Sequence, residues 1–547
     1  MGPSLEVRVC RWLSEEEFGE ILKYADYVGR IGRCSIFKLN PARIAREDVD
    51  VEDLVAFLTD IEAEFDEDRL RSLLRREERV AELTYRSNYV YVKFNFFLGD
   101  ELRDSLSEFK PRYVRGESAF LVHPMHYASF VEMLRRRGIA VVDRTGFLSR
   151  AKLDASVELK ISLRDYQREA LERWVKNGCR GIVALPTGSG KTLIAIAAIA
   201  ETGERALIVV ITKDHVRQWY DEIAKSSTIP LELVGFYYSE QKRVAPITIA
   251  TYQSAFRYIG RLAPHFSLLI IDEVHHLPAD KFKRIALGSP APKRLGLSAT
   301  PYREDGRHAE LFPLMGGVVY YRSPAELAEA GFLARYEIVT VKVGLKPDEK
   351  KKYLELKKKF KNLVGEAKFD DILEAARRGD EKAVEALKLV TEMRKIFQMS
   401  RSKVEKVREV VEKERGSKII VFAHYVELAK EIAREVGGLL LTGETETSKR
   451  EEVLRTFRES KEGILVVTTV GDEGLDIPDA SVGILVAGTS SPRQFAQRLG
   501  RLLRPGPGKV AKLYEVITRG TAEELHSKRR RDFSVVSELE TGSEKSS

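Results

Sequence analysis

A chain of 547 residues is too long for one hydrophobic core and predicts three or four domains. With 43% hydrophobic and 32% charged residues it reads as globular rather than disordered, and its longest apolar runs, ALIVVI and GILVVTTV, fall far short of the roughly 18 residues of a membrane span. A net charge of +8 suits a polyanionic partner, but 91 basic against 83 acidic residues leave any basic stripe to local clustering.

No association with membranes is expected. The first residues lack the basic stretch and apolar run of a signal peptide. Cys10, Cys34 and Cys179 are too few and too scattered for a disulfide framework or a Cys-rich zinc site, so a cytoplasmic location is expected. Heavy charge with few Asn and Gln also resembles a heat-adapted protein.

Residues 1–77 read as mixed helix and short strand. SEEEFGEILKYADYV (14–28) has helical spacing behind a Ser cap, and VEDLVAFLTDIEAEF (51–65) is a second amphipathic helix. Neither carries visible chemistry.

Residues 78–150 form a small α+β domain, with a strand in NYVYVKFNFFLG and strand, helix, strand in SAFLVHPMHYASFVEMLRRRGIAVV. Tyr89, Tyr91, Phe94, Phe96 and the run Arg135–Arg137 could stack on or grip a nucleic acid. Alternation is a normal core signal, however, so the aromatics are expected to face a core and the arginines to sit at a helix end favoured by its dipole. His123 and His126 lack further metal-ligating neighbours.

Residues 151–340 alternate short apolar runs (GIVAL, RALIVVI, ITIAT, SLLIID, RLGLSAT) with helical patterns, the rhythm of a parallel sheet covered on both faces. A second such unit spans 413–530, with KIIVFAH, GGLLLT, GILVVTT, VGILVAG and KLYEVI. A helical, Lys-rich insertion, 341–412, separates them, and 531–547 is a tail. The fold class is α/β: two parallel-sheet units, an N-terminal α+β domain and a helical insertion.

LPTGSGKT (185–192) carries the strongest chemistry. A strand runs into a turn, Pro186, Thr187, Gly188, Ser189 and Gly190, whose N–H groups can surround phosphates. Lys191 supplies a point charge to the outer phosphates, the Thr192 hydroxyl a Mg²⁺ ligand, and the following helix its positive end. Leu185 stands where the general pattern has its first glycine. LLIIDEVHH (268–276) places two acids at a strand end: Asp272 to hold the metal's water shell, Glu273 to orient or deprotonate the attacking water.

In QFAQRLGRLLR (494–504), Arg498, Arg501 and Arg504 share a helical face and suit arginine fingers, though a plain basic helix surface has the same spacing. TTVGDEGLDIP (468–478) offers Gly474 and Asp476 to the ribose and phosphates. ATPYREDGR (299–307) sets Arg303, Glu304 and Asp305 between a proline and a glycine, as a solvated turn would.

Together these segments resemble the superfamily 2 helicases over most of residues 160–520, in that family's motif order. The resemblance implies two RecA-like lobes whose cleft closes on ATP and reopens on hydrolysis, ratcheting a strand along. LRDYQ (163–167) resembles the adenine-binding segment, with Arg164 in it and Gln167 reading the base. ITKDHVRQW (211–219) and ATYQSA (250–255) match the strand-tracking segments, with Thr212 and Thr251. DEVH, including His275, and SAT, Ser298, Ala299 and Thr300, couple hydrolysis to movement, as does Gln497.

Within that superfamily the match is closest to the XPB family in its archaeal form, through DEVHHLPA, REDGR, DEGLDIPDASVGILVAG, RLGRLLRP and RGT. The resemblance implies a DNA-opening role for Arg303, Glu304 and Asp305, a thumb at the Lys-rich insertion, and a damage-recognition domain at 78–150. It implies an ATP- and Mg²⁺-dependent 3′ to 5′ DNA helicase of repair or transcription, with a nuclease as a candidate partner. An RNA helicase, or an ATP-gated DNA clamp that positions a nuclease, stays open. Residues 1–77 have no counterpart in that pattern.

Overall fold

The computed structural model describes residues 5–41, 43–44, 49–74, 79–96, 98–149, 151–299, 307–468, 479–486 and 510–531. Four sheets organise them.

The first is antiparallel, in the order Ala25–Ile31, Cys34–Leu39, Glu6–Val9, Ala63–Glu64. Helices Glu15–Tyr24 and Val51–Asp60 complete a βαββαβ unit of ferredoxin-like order. Ser14 caps the first helix as expected, in a box closed by the Glu17 carboxylate on the Ser14 N–H at 2.7 Å. The helix stops at Tyr24, however, and the expected continuation Ala25–Val28 is strand. Strand pairing decides this: Ala25 pairs with Leu39 at the start of a six-position ladder. The cysteine expectation also needs correction. Register places Val9 opposite Ser35, so Cys10 and Cys34 meet and form a disulfide. Only sheet pairing brings these distant residues together.

The second sheet orders Arg112–Val114, Ala119–Val122, Tyr89–Phe94, Val80–Arg86 and Ala140–Arg144, under helices Asp100–Ser107 and Tyr127–Arg136. The aromatics divide by parity. Val90 and Val92 face the core, and Phe94 and Phe96 pack beside it. Tyr89 and Tyr91 lie on the opposite face, with the Arg86 guanidinium 4.0 Å from the Tyr91 ring centre and His123 stacked on Tyr89. Of the three arginines, Arg136 and Arg137 pair with Glu132 and Glu101. This domain docks on the next one: Ala263 joins its core, and the Ser87–Asn88 hairpin abuts Gly260.

The third sheet has seven parallel strands: Val234–Tyr237, Ile247–Thr251, Ala206–Val210, Leu268–Ile271, Lys293–Ser298, Arg180–Ala184, Val318–Tyr321. Its central strands are buried on both faces.

The fourth sheet is also parallel: Arg335–Val343, Val510–Thr518, Val482–Leu485, Lys418–Ala423, Gly463–Thr468, Leu439–Leu441. The boundary expected at 340 falls inside Arg335–Val343, which pairs with the second unit, from Arg335 opposite Val510 to Val343 opposite Thr518. Within the Lys-rich insertion, Pro347–Val364, Phe369–Arg377 and Glu381–Gln398 pack on one another, while Arg401–Lys413 packs on the fourth sheet through Val404, Val407 and Val410. Both α/β units are RecA-like lobes. Among the described residues, no helix is long and apolar enough to cross a membrane.

Candidate nucleotide and nucleic-acid sites

The phosphate loop leaves the strand Arg180–Ala184 and enters the helix Lys191–Thr202. Gly188 and Gly190 take φ of 87° and 78°, where side chains are strained. At Gly190 a Cβ would also collide with the Gln167 amide, the group that holds the loop. Gln167 is 3% exposed; its Nε2 donates to the Ser189 carbonyl at 2.9 Å and its Oε1 accepts from the Arg164 N–H at 3.0 Å. The Tyr166 hydroxyl donates to the same Ser189 carbonyl at 2.6 Å. Gln167 is thus seated on the phosphate loop at the start of helix Asp165–Lys176, with Arg164 and Tyr166 both packed on Phe332.

Lys191 Nζ donates to the carbonyls of Leu185 at 2.8 Å and Pro186 at 3.2 Å. Desolvation pushes its ammonium below the usual lysine range, while the nearby carboxylates of Glu273 and Asp272 act in the opposite sense. Thr192 follows in the first helical turn, half-buried.

Asp272 and Glu273 sit at the end of Leu268–Ile271, two strands from the phosphate loop, with Lys293–Ser298 between. Asp272 is oriented by two donors at 2.9 Å, the Trp219 indole and the Glu273 N–H. Glu273 has φ 47° and ψ 52°, a left-handed conformation unusual for a residue with a side chain. The Tyr252 hydroxyl braces that turn by donating to the carbonyls of Asp272 and Glu273, both at 3.1 Å. Burial pushes the Tyr252 phenol well above its ordinary pKa, keeping it a donor. His275 is fully buried, with Nδ1 3.0 Å from Ser298 Oγ and 3.3 Å from Glu273 Oε2. Ala299 follows Ser298 and is buried.

A second site lies on the same edge of the sheet. A cleft of about 410 Å³ is lined by Thr212, Lys213, Lys242, Thr251, Ser254 and Arg257, among others. Thr212 caps helix Lys213–Ser226 and Thr251 is the cap residue of Tyr252–Leu262, so two positive helix ends open there. Thr212 Oγ1 accepts from the His215 N–H at 3.3 Å, and Thr251 Oγ1 donates to Ser254 at 3.1 Å. This chemistry suits a phosphate backbone, held without reading bases.

The sequence did not single out Trp219, Tyr252 or Phe332. Trp219 and Tyr252 each fall within a quoted motif, but only the fold turns them toward Asp272 and Glu273. Thr300, Arg303, Glu304, Asp305, Gly474, Asp476, Gln497, Arg498, Arg501 and Arg504 lie outside the described residues.

Two parallel-sheet lobes, a phosphate loop and a paired Asp272–Glu273 strand end define a two-lobed P-loop ATPase of the helicase type. Residues 160–303 match the family model for the type III restriction enzyme res subunit, and 387–538 that for the ERCC3/RAD25/XPB C-terminal helicase. The chain is 39% identical over 381 residues to the DNA 3′-5′ translocase XPB2 of Sulfurisphaera tokodaii, covering 68% of this chain and 85% of that one. It is 32% identical to the DNA 3′-5′ helicase XPB of Kineococcus radiotolerans, over 76% of this chain and 70% of that one. Its identity to the DNA 3′-5′ helicase XPB of Mycobacterium tuberculosis is 30%, over 76% and 72%. The chain belongs to the XPB family of superfamily 2 DNA helicases.

Proposed function

We propose that the protein is an ATP-dependent, 3′ to 5′ DNA translocase that opens duplex DNA, in repair, transcription or both. The observation that carries this is the contact chain Glu273, His275, Ser298 at the ends of two neighbouring strands, with the Lys191 ammonium of the phosphate loop within reach of the Glu273 charge. It joins the nucleotide site to the strand end that precedes Arg303, Glu304 and Asp305 in the chain. Relatives named as DNA 3′-5′ translocase and DNA 3′-5′ helicase support DNA as the track and 3′ to 5′ as the direction.

In this reading Gln167, Arg164 and Phe332 lie at the base end of ATP, and the loop from Pro186 to Gly190 surrounds its phosphates. Thr192 and Asp272 would hold a Mg²⁺ ion, whose role is to neutralise charge on the transferring phosphate. The donor set fits: Asp272 offers carboxylate oxygens held in place by Trp219 and the Glu273 N–H. Glu273 accepts the proton of the attacking water. Arg498, Arg501 and Arg504 serve as arginine fingers for the γ-phosphate, and Gly474 and Asp476 meet the ribose and phosphates. Thr212 and Thr251 hold DNA phosphates, and Gln497 couples the lobes. A nuclease partner is part of this proposal; strand separation with and without such a protein tests it.

The direct test is ATP hydrolysis titrated with single-stranded DNA, duplex DNA and RNA at two salt concentrations. Duplex DNA should stimulate most, with a strong fall at higher salt. Equal stimulation by RNA would overturn the assignment of DNA. Replacing Arg303, Glu304 and Asp305 together by alanine should spare basal hydrolysis and impair duplex opening.

A further inference from the structure

The βαββαβ domain at residues 5–74 takes no part in the sites above, yet one of its edges is built for contact. Strand Ala25–Ile31 is the terminal strand of its sheet. A bulge between Tyr27 and Gly29 turns Val28 outward, 64% exposed, and Ile31 is 70% exposed. Beside them Trp12 is 80% exposed, with the Arg30 guanidinium 5.8 Å from its ring centre. The Cys10–Cys34 disulfide ties the hairpin carrying Arg30, Ile31 and Arg33 to the strand that leads into Trp12. Sheet edges normally carry charge or cover where they meet solvent, because an apolar edge invites a further strand.

Charge indicates what that strand is. Residues 1–77 hold 18 acidic and 12 basic side chains, net −6 within a chain of net +8, so the remainder carries +14. A nucleic-acid surface needs several cations to displace counterions, whereas this edge offers two, enough for a pair of carboxylates. Among the described residues, five of the domain's other cations pair internally: Arg8 with Glu6, Arg11 with Glu17, Lys23 with Glu20, Arg43 with Asp26, Arg71 with Glu52. Arg30 and Arg33 have no carboxylate partner among the described residues. Both flank the exposed apolar edge. Exposed Trp and Arg side by side are the composition of a protein interface centre.

We propose that Ala25–Ile31 docks an extended, acidic and apolar segment of a partner protein. The segment adds a strand to the sheet edge by backbone hydrogen bonds, seats apolar side chains on Trp12, Val28 and Ile31, and presents carboxylates to Arg30 and Arg33. The domain is thus a recruitment module attached to a DNA motor.

The test uses the full chain and a fluorescein-labelled peptide alternating valine and aspartate, with a valine–lysine peptide and a short oligothymidylate as controls. Hydrogen exchange locates binding. The expected result is slowed exchange at residues 25–31 with the valine–aspartate peptide alone. Arg30→Glu with Arg33→Glu should weaken that peptide about tenfold or more and gain the valine–lysine peptide, which also shows the variant is folded. DNA-stimulated ATP hydrolysis should be unchanged in the variant. Protection of 25–31 by oligothymidylate instead would make the edge a nucleic-acid surface and overturn the proposal. So would peptide protection confined to residues outside 5–74, or none at all.

Discussion

The imidazole of His275 and the hydroxyl of Ser298 meet at 3.0 Å, joining the ends of two neighbouring strands. The same Nδ1 lies 3.3 Å from Glu273, so a shift of that carboxylate reaches Ser298 through one rigid, buried ring. His275→Ala should lower kcat for DNA-stimulated hydrolysis about tenfold with KM for ATP nearly unchanged, and depress translocation further. Ser298→Ala combined with it should add little, because both act on one contact. Steady-state ATP hydrolysis alongside triplex displacement checks this.

Glu273 occupies left-handed backbone for the sake of where its carboxylate points. Glu273→Gln should lose about 100-fold or more in turnover at unchanged stability. Glu273→Gly should be equally inactive yet more stable by up to about 1 kcal/mol, as the strain is released. Denaturant midpoints of the two variants measure the difference. Lys191→Ala should lose at least about 100-fold in hydrolysis with the fold intact.

Gly260 is where the domain of residues 79–149 meets helix Tyr252–Leu262. A methyl group there would strike the Asn88 side chain, with the Tyr85 hydroxyl 3.4 Å away. Asn88 is exposed at φ 65°, so its side-chain oxygen would swing out of the seam to make way. Gly260→Ala should therefore cost no more than about 1 kcal/mol and loosen the domain from the lobe at this seam. Limited proteolysis near residues 145–160 should then speed up while basal hydrolysis persists.

Glu204 is 5% exposed, and burial alone would raise its pKa. Hydrogen bonds from Lys293, Ser267 and Lys152 outweigh that and hold the carboxyl below its usual range. Its folded pKa being depressed, the stabilisation is complete above the unfolded value near pH 4.3 and is lost as pH falls through the lower folded value. Glu204→Gln should cost about 3 kcal/mol at pH 7, and the gap to the parent should narrow below about pH 4. Urea midpoints across pH report it.

The central strands of both lobes were legible because buried parallel strands are unbroken apolar runs, as in ALIVV and KIIVFA. Val234–Tyr237 and Val318–Tyr321 escaped notice as four-residue edges with little pattern. The phosphate loop and Asp272–Glu273 are local motifs, so their residues could be named in advance. Trp219 and Tyr252 act on Asp272 and Glu273 across 53 and 20 residues, and no periodicity encodes such a meeting. Cys10 and Cys34 were missed for the same reason. Gln167 was identified, but its seat on the Ser189 carbonyl is a tertiary fact.

Arg335–Val343 connects the first lobe to the second and lies parallel to Val510–Thr518 along nine paired positions. A tug between the lobes therefore pulls this strand lengthwise. Its ladder is loaded in shear, with its rungs sharing the force at once, instead of being unzipped one rung at a time. The connection is a tow rope spliced into the body it pulls, held by nine rungs at once.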